Sequence, residues 1–210
     1  MTGPHEIPDA PPEANAIEQA DVAVAKAVAP VVHTPVMKVL GTLSEAADQP
    51  PLRALCAGLF ALGLWRGDAR LARAAARMLL AHSLATGAKT AVKNRVDRTR
   101  PTVLVEEGRY EMGAGDSHEH DESSFPSGHT AGAVAAAGSW AQDYPEHRGA
   151  AYGLAAAAAL MQIPRCKHYP SDVGAGAVLG AAAAAAVNAL WPGDQPIAPS
   201  NRRYSVSERP

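Results

Sequence analysis

Six stretches of the chain place apolar residues at helical intervals, and no stretch shows the two-residue alternation of a half-buried strand. The first covers about 17–45, is amphipathic, and is interrupted near Pro30 and Pro35. The second, 51–66, contains the run LRALCAGLFALGLW, and the third, 68–94, reads DARLARAAARMLLAHSLATGAKTAVKN. The fourth starts near Ser127 and continues GHTAGAVAAAGSWAQ; the fifth spans 149–163 and the sixth 171–191. Asp68 and either Ser171 or Asp172 stand where a helix N-cap is needed. The pattern predicts an all-α, six-helix bundle over residues 16–194. Residues 1–15 and 195–210, rich in proline and polar residues, read as a disordered lead and tail. One stretch resists this reading: about 95–125 has no clear periodicity. A connection that long inside a compact domain is usually functional.

Composition narrows the picture. The 210 residues suit one domain, and a formal net charge of −2 with few aromatics argues against a nucleic-acid partner. Two cysteines, Cys56 and Cys166, are too few for a disulfide framework and are expected as free thiols. Residues 1–14 are polar and do not read as a cleavable signal peptide. Alanine dominates, so the helices are only weakly hydrophobic. Crossing a bilayer takes roughly 20 apolar residues, and the sixth segment alone meets that comfortably. Its Gly174-Ala175-Gly176-Ala177 suits close helix packing in a membrane. If segments two to six all span, 66–73 and 143–149 share one side, and 93–128 and 164–171 share the other. Positive residues would hold the first side in the cytoplasm. The second side then gathers the chemically interesting residues.

Three constellations lie there. The first is KNRVDRTRP, Lys93 to Pro101: four cations at the end of a helix. They complement the helix dipole, or they bind phosphate through charge-assisted bonds. The second is FPSGHT, Phe125 to Thr130, where a loop becomes a helix. Exposed amides and the dipole suit an anion there, Gly128 permits close approach, and His129 can donate a proton; equally, the motif can simply cap a helix. The third is RCKHYPSD, Arg165 to Asp172. Its His168 and Asp172 are four apart, a spacing that lets a carboxylate hold one imidazole nitrogen and leave the other free to attack.

Lys, six residues, Arg-Pro; then Pro-Ser-Gly-His; then His, three residues, Asp: in this order the chain resembles the type 2 phosphatidic acid phosphatase superfamily, from about Asp21 to Trp191. The resemblance implies that family's helical core and a metal-independent phosphatase with no cofactor. His168 would be the nucleophile that forms a phosphohistidine, Asp172 would fix its tautomer, and His129 would be the general acid. Lys93, Arg100, Ser127 and the Gly128 amide would hold the phosphoryl oxygens. One departure stands out. The family has Ser-Arg starting seven residues before the histidine; here those positions are Met161 and Gln162. Arg165, about one turn further on, is expected to reach into the site and replace the missing arginine, the alternative being that it faces solvent. With the apolar segments, the reading is a lipid phosphate or diphosphate as substrate. The bundle would be multi-pass in the inner membrane, with the site facing the periplasm or exterior. Rival readings are a soluble acid phosphatase or vanadate-dependent haloperoxidase of the same superfamily, or a membrane scaffold with a degenerate site. His118-Glu119-His120-Asp121 reads as a solvated acidic loop, or as a segment lying over the site, rather than a metal centre. Arg95 and Arg98 read as steering charges or as exposed residues, and Cys166 as packing.

Overall fold

The structure is a computed structural model that describes residues 7–117 and 119–192; residues 1–6, His118 and 193–210, including the expected tail, lie outside it. Among the described residues there are eight α-helices and one two-stranded sheet. The helices are α1 (Ala16–Val28), α2 (Pro35–Ser44), α3 (Gln49–Arg66), α4 (Ala69–Lys93), α5 (Pro101–Glu107), α6 (Gly128–Asp143), α7 (Arg148–Leu160) and α8 (Pro170–Leu190).

Five of the six expected segments are single helices, and the other three helices have local causes. The first segment divides at Pro30 and Pro35 into α1 and α2, bent by 117° across the break, because proline removes a donor and clashes with the preceding turn. The aperiodic connection is built rather than loose. Strand β1 (Val96–Arg98) pairs antiparallel with β2 (Met112–Ala114), with Asp97 opposite Gly113, and α5 forms part of the connection that joins them. Strands of three residues are too short for alternation to register. Asp68 caps α4 by accepting from the Leu71 amide at 2.9 Å. Helix α8 starts slightly earlier than expected: Pro170 is its first residue, and Asp172 reaches back to the Tyr169 amide at 2.8 Å. In the stretch expected to be a disordered lead, Ile7 and Ala10 pack beside Val22, Ala25, Leu104 and Tyr169, and Asn15 caps α1.

The core is the contact of α4, α6 and α8, where Ala81, Ala85, Ala131, Ala135, Ala183 and Val187 meet. Alanine lets backbones come close, and two glycines bring them closer. A Cβ at Gly180 would lie 2.4 Å from the Ala131 carbonyl oxygen, and one at Gly176 would lie 2.5 Å from that of Ser127. Thus α8 is pressed against the start of α6, which brings the third constellation beside the second. At the opposite end, Arg70 pairs with Glu146, and Arg73 and Arg77 pair with Asp143. Segments 66–73 and 143–149 therefore do share one end of the bundle.

Candidate active site

The turn between α7 and α8 sets the position of His168. The Gln162 carbonyl accepts from the amides of Lys167 (3.1 Å) and His168 (3.3 Å), closing a tight loop. Cys166 sits inside it with φ 52°, a left-handed conformation that costs a non-glycine residue roughly 1–3 kcal/mol. Two bonds from Thr102 offset that cost: its amide (3.0 Å) and its hydroxyl (2.6 Å) both donate to the Cys166 carbonyl. Thr102 follows the Arg100-Pro101 pair, so the first constellation braces the third. The Cys166 thiol is fully buried and pushed up to about 11 by that burial, in line with a packing role.

His168 is 3% exposed and turns one edge toward a pocket of about 250 Å³. Its Nδ1 lies 2.8 Å from the Ser124 carbonyl oxygen. A carbonyl only accepts, so Nδ1 carries the proton and Nε2 keeps its lone pair. Burial pushes the imidazole down to about 4, against the pull of the nearby Asp172 carboxylate, so the ring is neutral at pH 7. The spacing led us to expect Asp172 as the direct partner. Asp172 instead lies 3.8 Å from Nδ1, too far for a hydrogen bond. Its oxygens are committed elsewhere: Oδ1 accepts from Arg98 (2.7 Å), and Oδ2 accepts from the Ser124 hydroxyl (2.6 Å) and the Tyr169 amide. Ser124 therefore couples the two, with its carbonyl on His168 and its hydroxyl on Asp172.

Arg98 is neither exposed nor a steering charge. It is 1% exposed, pairs with Asp172 and with Asp21 of α1 (2.8 Å), and lies 4.1 Å from the Tyr169 ring centroid. Asp21 also accepts from the Ser171 amide (3.0 Å). An Arg between two carboxylates in a buried site balances the charge that burial would otherwise make costly. Asp21, Arg98 and Ser124 were not recognised from sequence. The available signal was an acid, Asp21, on the same helical face as Val22 and Ala25.

The pocket wall contains most of the residues expected at the site: Lys93, Arg100, Gly128, His129, Arg165 and His168. Arg100 donates to the carbonyls of His120 (2.7 Å), Lys167 (3.1 Å) and Ser123 (3.4 Å), and Lys93 donates to that of Ser123. Two expected residues are not on the wall. Asp172 lies behind His168, and Ser127 is fully buried as the cap of α6, its hydroxyl taken by the Thr130 amide and hydroxyl. His129 presents Nε2 to Asp48 (3.6 Å) and Glu45 (3.7 Å). These three donors lie within 4.8 Å of one another, a spacing a cation would accept. Glu45 is already paired with Arg165, so we read the group as an acidic frame around His129. Gln162, at the position of the family arginine, also lines the pocket, with its Nε2 on the Ala158 carbonyl. Arg165 does reach the pocket, but Ser44 and Glu45 hold its guanidinium. His120 also lines the pocket.

Beside this polar pocket runs an apolar groove of about 710 Å³, with Leu40, Leu43, Leu55, Leu59, Leu154 and Met161 among its walls. The same two segments, 43–48 and 161–162, face the pocket with some residues and the groove with others.

The family model described as the PAP2 superfamily matches residues 74–195, more than half of the chain. No curated protein matches it.

Proposed function

Because the chain belongs to the PAP2 superfamily, whose members are generally phosphatases or related hydrolases, we propose that it hydrolyses a lipid phosphate or diphosphate through a phosphohistidine. One observation carries the reading: a buried, neutral His168 with its proton fixed on Nδ1 turns a free Nε2 into a pocket walled by cations. Nε2 attacks phosphorus in line, and the bond from phosphorus to the leaving oxygen breaks. Lys93, Arg100 and the first amides of α6 meet the charge spread over the phosphoryl oxygens. His129 gives its proton to the leaving oxygen. It then takes one from the water that attacks the phosphohistidine and frees His168. Asp172 and Ser124 steady the imidazolium side of the adduct. The chain's own cations supply the electrophilic assistance.

The lipid assignment rests on shape and surface. A pocket of about 250 Å³ suits a headgroup, being smaller than sites that take whole drug-sized ligands, roughly 300–1,000 Å³. The neighbouring groove offers apolar walls to a hydrocarbon chain. Among the described residues, α8 is the one helix long and apolar enough to cross a bilayer, and only 28% of its most apolar window is buried. Trp65, Leu154 and Val178 are likewise exposed. We assign the bundle to the inner membrane, with the pocket end toward the periplasm or exterior and the Arg66–Arg73 end inside.

The test is phosphate release from a panel of lipid phosphates, in detergent with EDTA, by the parent and His168→Ala. Release by the parent without added metal is expected, with a loss of at least about 10³-fold in the variant. Equal rates in both, or a requirement for metal, would overturn the mechanism.

A further inference from the structure

The family arginine is absent at Gln162, and the nearby Arg165 is neutralised by Glu45. Yet the pocket holds a cation that belongs to none of the three motifs. Lys89 stands one helical turn before Lys93 on α4 and lines the same cavity. Its side chain crosses the start of α6: a Cβ at Gly128 would lie 3.1 Å from Lys89 Cδ and 3.6 Å from its Nζ. Gln49 Nε2 lies 3.6 Å from the same point, so two side-chain donors flank the first amides of the helix.

Of the other cations of the wall, Lys167 in the third motif has no side-chain hydrogen bond or ion pair among the described residues, and the rest have partners. Arg100 and Lys93 donate to carbonyls, and Arg165 to Glu45 and Ser44. Among the described residues, Lys89 Nζ has no hydrogen bond and no ion pair. Two lysines one turn apart on one helix face repel each other. An anion held between them and the α6 amides removes that repulsion and gives Lys89 the charge-assisted bonds it lacks.

We propose that Lys89 is a phosphate-binding residue that supplies, from α4, the positive charge lost where Gln162 replaces the family arginine. It touches the phosphoryl oxygens from the side of Gly128, opposite the loop where the arginine would have stood. The pocket thus keeps its charge while its source moves from the α7–α8 turn to α4. This assignment rests on the phosphatase reading for its catalytic consequence, but not for anion binding itself.

The experiment therefore has two readouts on the full chain in detergent: binding of inorganic orthovanadate, and phosphate release from a short-chain lipid phosphate. The variants are Lys89→Met, Lys89→Arg, Gln162→Arg, and Lys89→Met combined with Gln162→Arg. Lys89→Met is expected to weaken orthovanadate binding and kcat/KM by about 10- to 100-fold, the usual effect of losing one charge-assisted bond. Lys89→Arg retains most of both. Adding Gln162→Arg to Lys89→Met recovers much of the loss. The recovery also excludes misfolding as the cause, because a collapsed pocket would not be restored by a second charge. Lys89→Met within about 2-fold of the parent, the scatter of an uninvolved side chain, overturns the proposal. So does a double variant no better than Lys89→Met. If orthovanadate binding depends on Lys89 but the parent releases no phosphate from any substrate, the phosphatase reading falls and the assignment of Lys89 stands.

Discussion

The two ends of the bundle look alike in sequence and differ in how their charges are settled. RGDARLARAAAR near the start of α4 and KTAVKNRVDRTR at its end are both rich in arginine and lysine. At the start, each of three arginines meets a carboxylate: Arg70 with Glu146, and Arg73 and Arg77 with Asp143. At the other end, Lys93 and Arg100 donate only to carbonyl oxygens, and Lys89 makes no hydrogen bond or ion pair among the described residues, with Asp48 acting on it only at longer range. Carbonyls orient a cation without cancelling its charge. The first cluster is closed and holds α4 to α6; the second is open, which is what the proposed function requires of a phosphate site. Arg98 marks the boundary, lying in the second sequence run but settled like the first, between Asp21 and Asp172.

The contrast breaks if the two ends respond alike to loss of one group. Arg100→Met should lower kcat/KM by about 10²–10³-fold, as removal of one preorganised donor does, while the protein still folds. Asp143→Ala should do the reverse. It strands the fully buried Arg77 without its carboxylate, costing about 3–5 kcal/mol of stability. The rate per folded molecule should stay near the parent's. Thermal unfolding and phosphate release on the same preparations separate the two. A stable, inactive Asp143→Ala, or an active Arg100→Met, would mean that compensation does not distinguish the ends.

Acid sharpens the same contrast. The unfolded chain protonates His168 near 6.5, whereas the folded protein resists until about 4. As pH falls between these values the unfolded state binds more protons, so stability present above about 6.5 is lost toward 4. For this one group the full loss is roughly 3 kcal/mol. His168→Gln should flatten that part of the profile, and Asp143→Ala should not. In the parent, activity should fall on the acid side as Nε2 takes a proton, with a midpoint near 4. An unfolding midpoint in His168→Gln that tracks pH as the parent's does would place the acid sensitivity elsewhere.

What was legible in the chain follows from these physics. Helices showed because apolar periodicity persists over many turns, and breaks showed because proline acts locally. The motif residues His168, His129, Lys93 and Arg100 showed because their chemistry is tied to side-chain type at fixed spacing. The rest depended on partners remote in sequence. Nothing in KNRVDRTRP says that Arg98 turns inward while Arg100 faces the pocket; strand β1 and Asp21, 77 residues away, decide it. Ser124 orients His168 through a carbonyl that every residue owns. The direct His168–Asp172 bond expected from spacing gave way because Arg98, Ser124 and Tyr169 already fill the carboxylate. Lys89 was invisible because it lies outside the motif, and only the approach of α4 to α6 gives it a place.

The smallest effect concerns the one part of the open end where acids and a base do meet. Asp48 accepts from the Gln49 amide at 2.8 Å as the cap of α3, and also faces His129 Nε2 at 3.6 Å. Asp48→Asn keeps a good cap and removes only the charge, so stability should hardly change. If the carboxylate helps keep the transferable proton on Nε2, its loss should slow substrates that need the leaving oxygen protonated. An alkyl phosphate, whose alkoxide leaves poorly, should lose about 10-fold in kcat. An aryl phosphate with an acidic phenol needs little proton donation and should lose almost nothing. The difference between the two substrates is the measurement, because a merely distorted pocket would slow both. Equal slowing would detach Asp48 from His129 and leave it as a helix cap. The acidic frame would then belong with the closed cluster at the other end, as charge placed for structure.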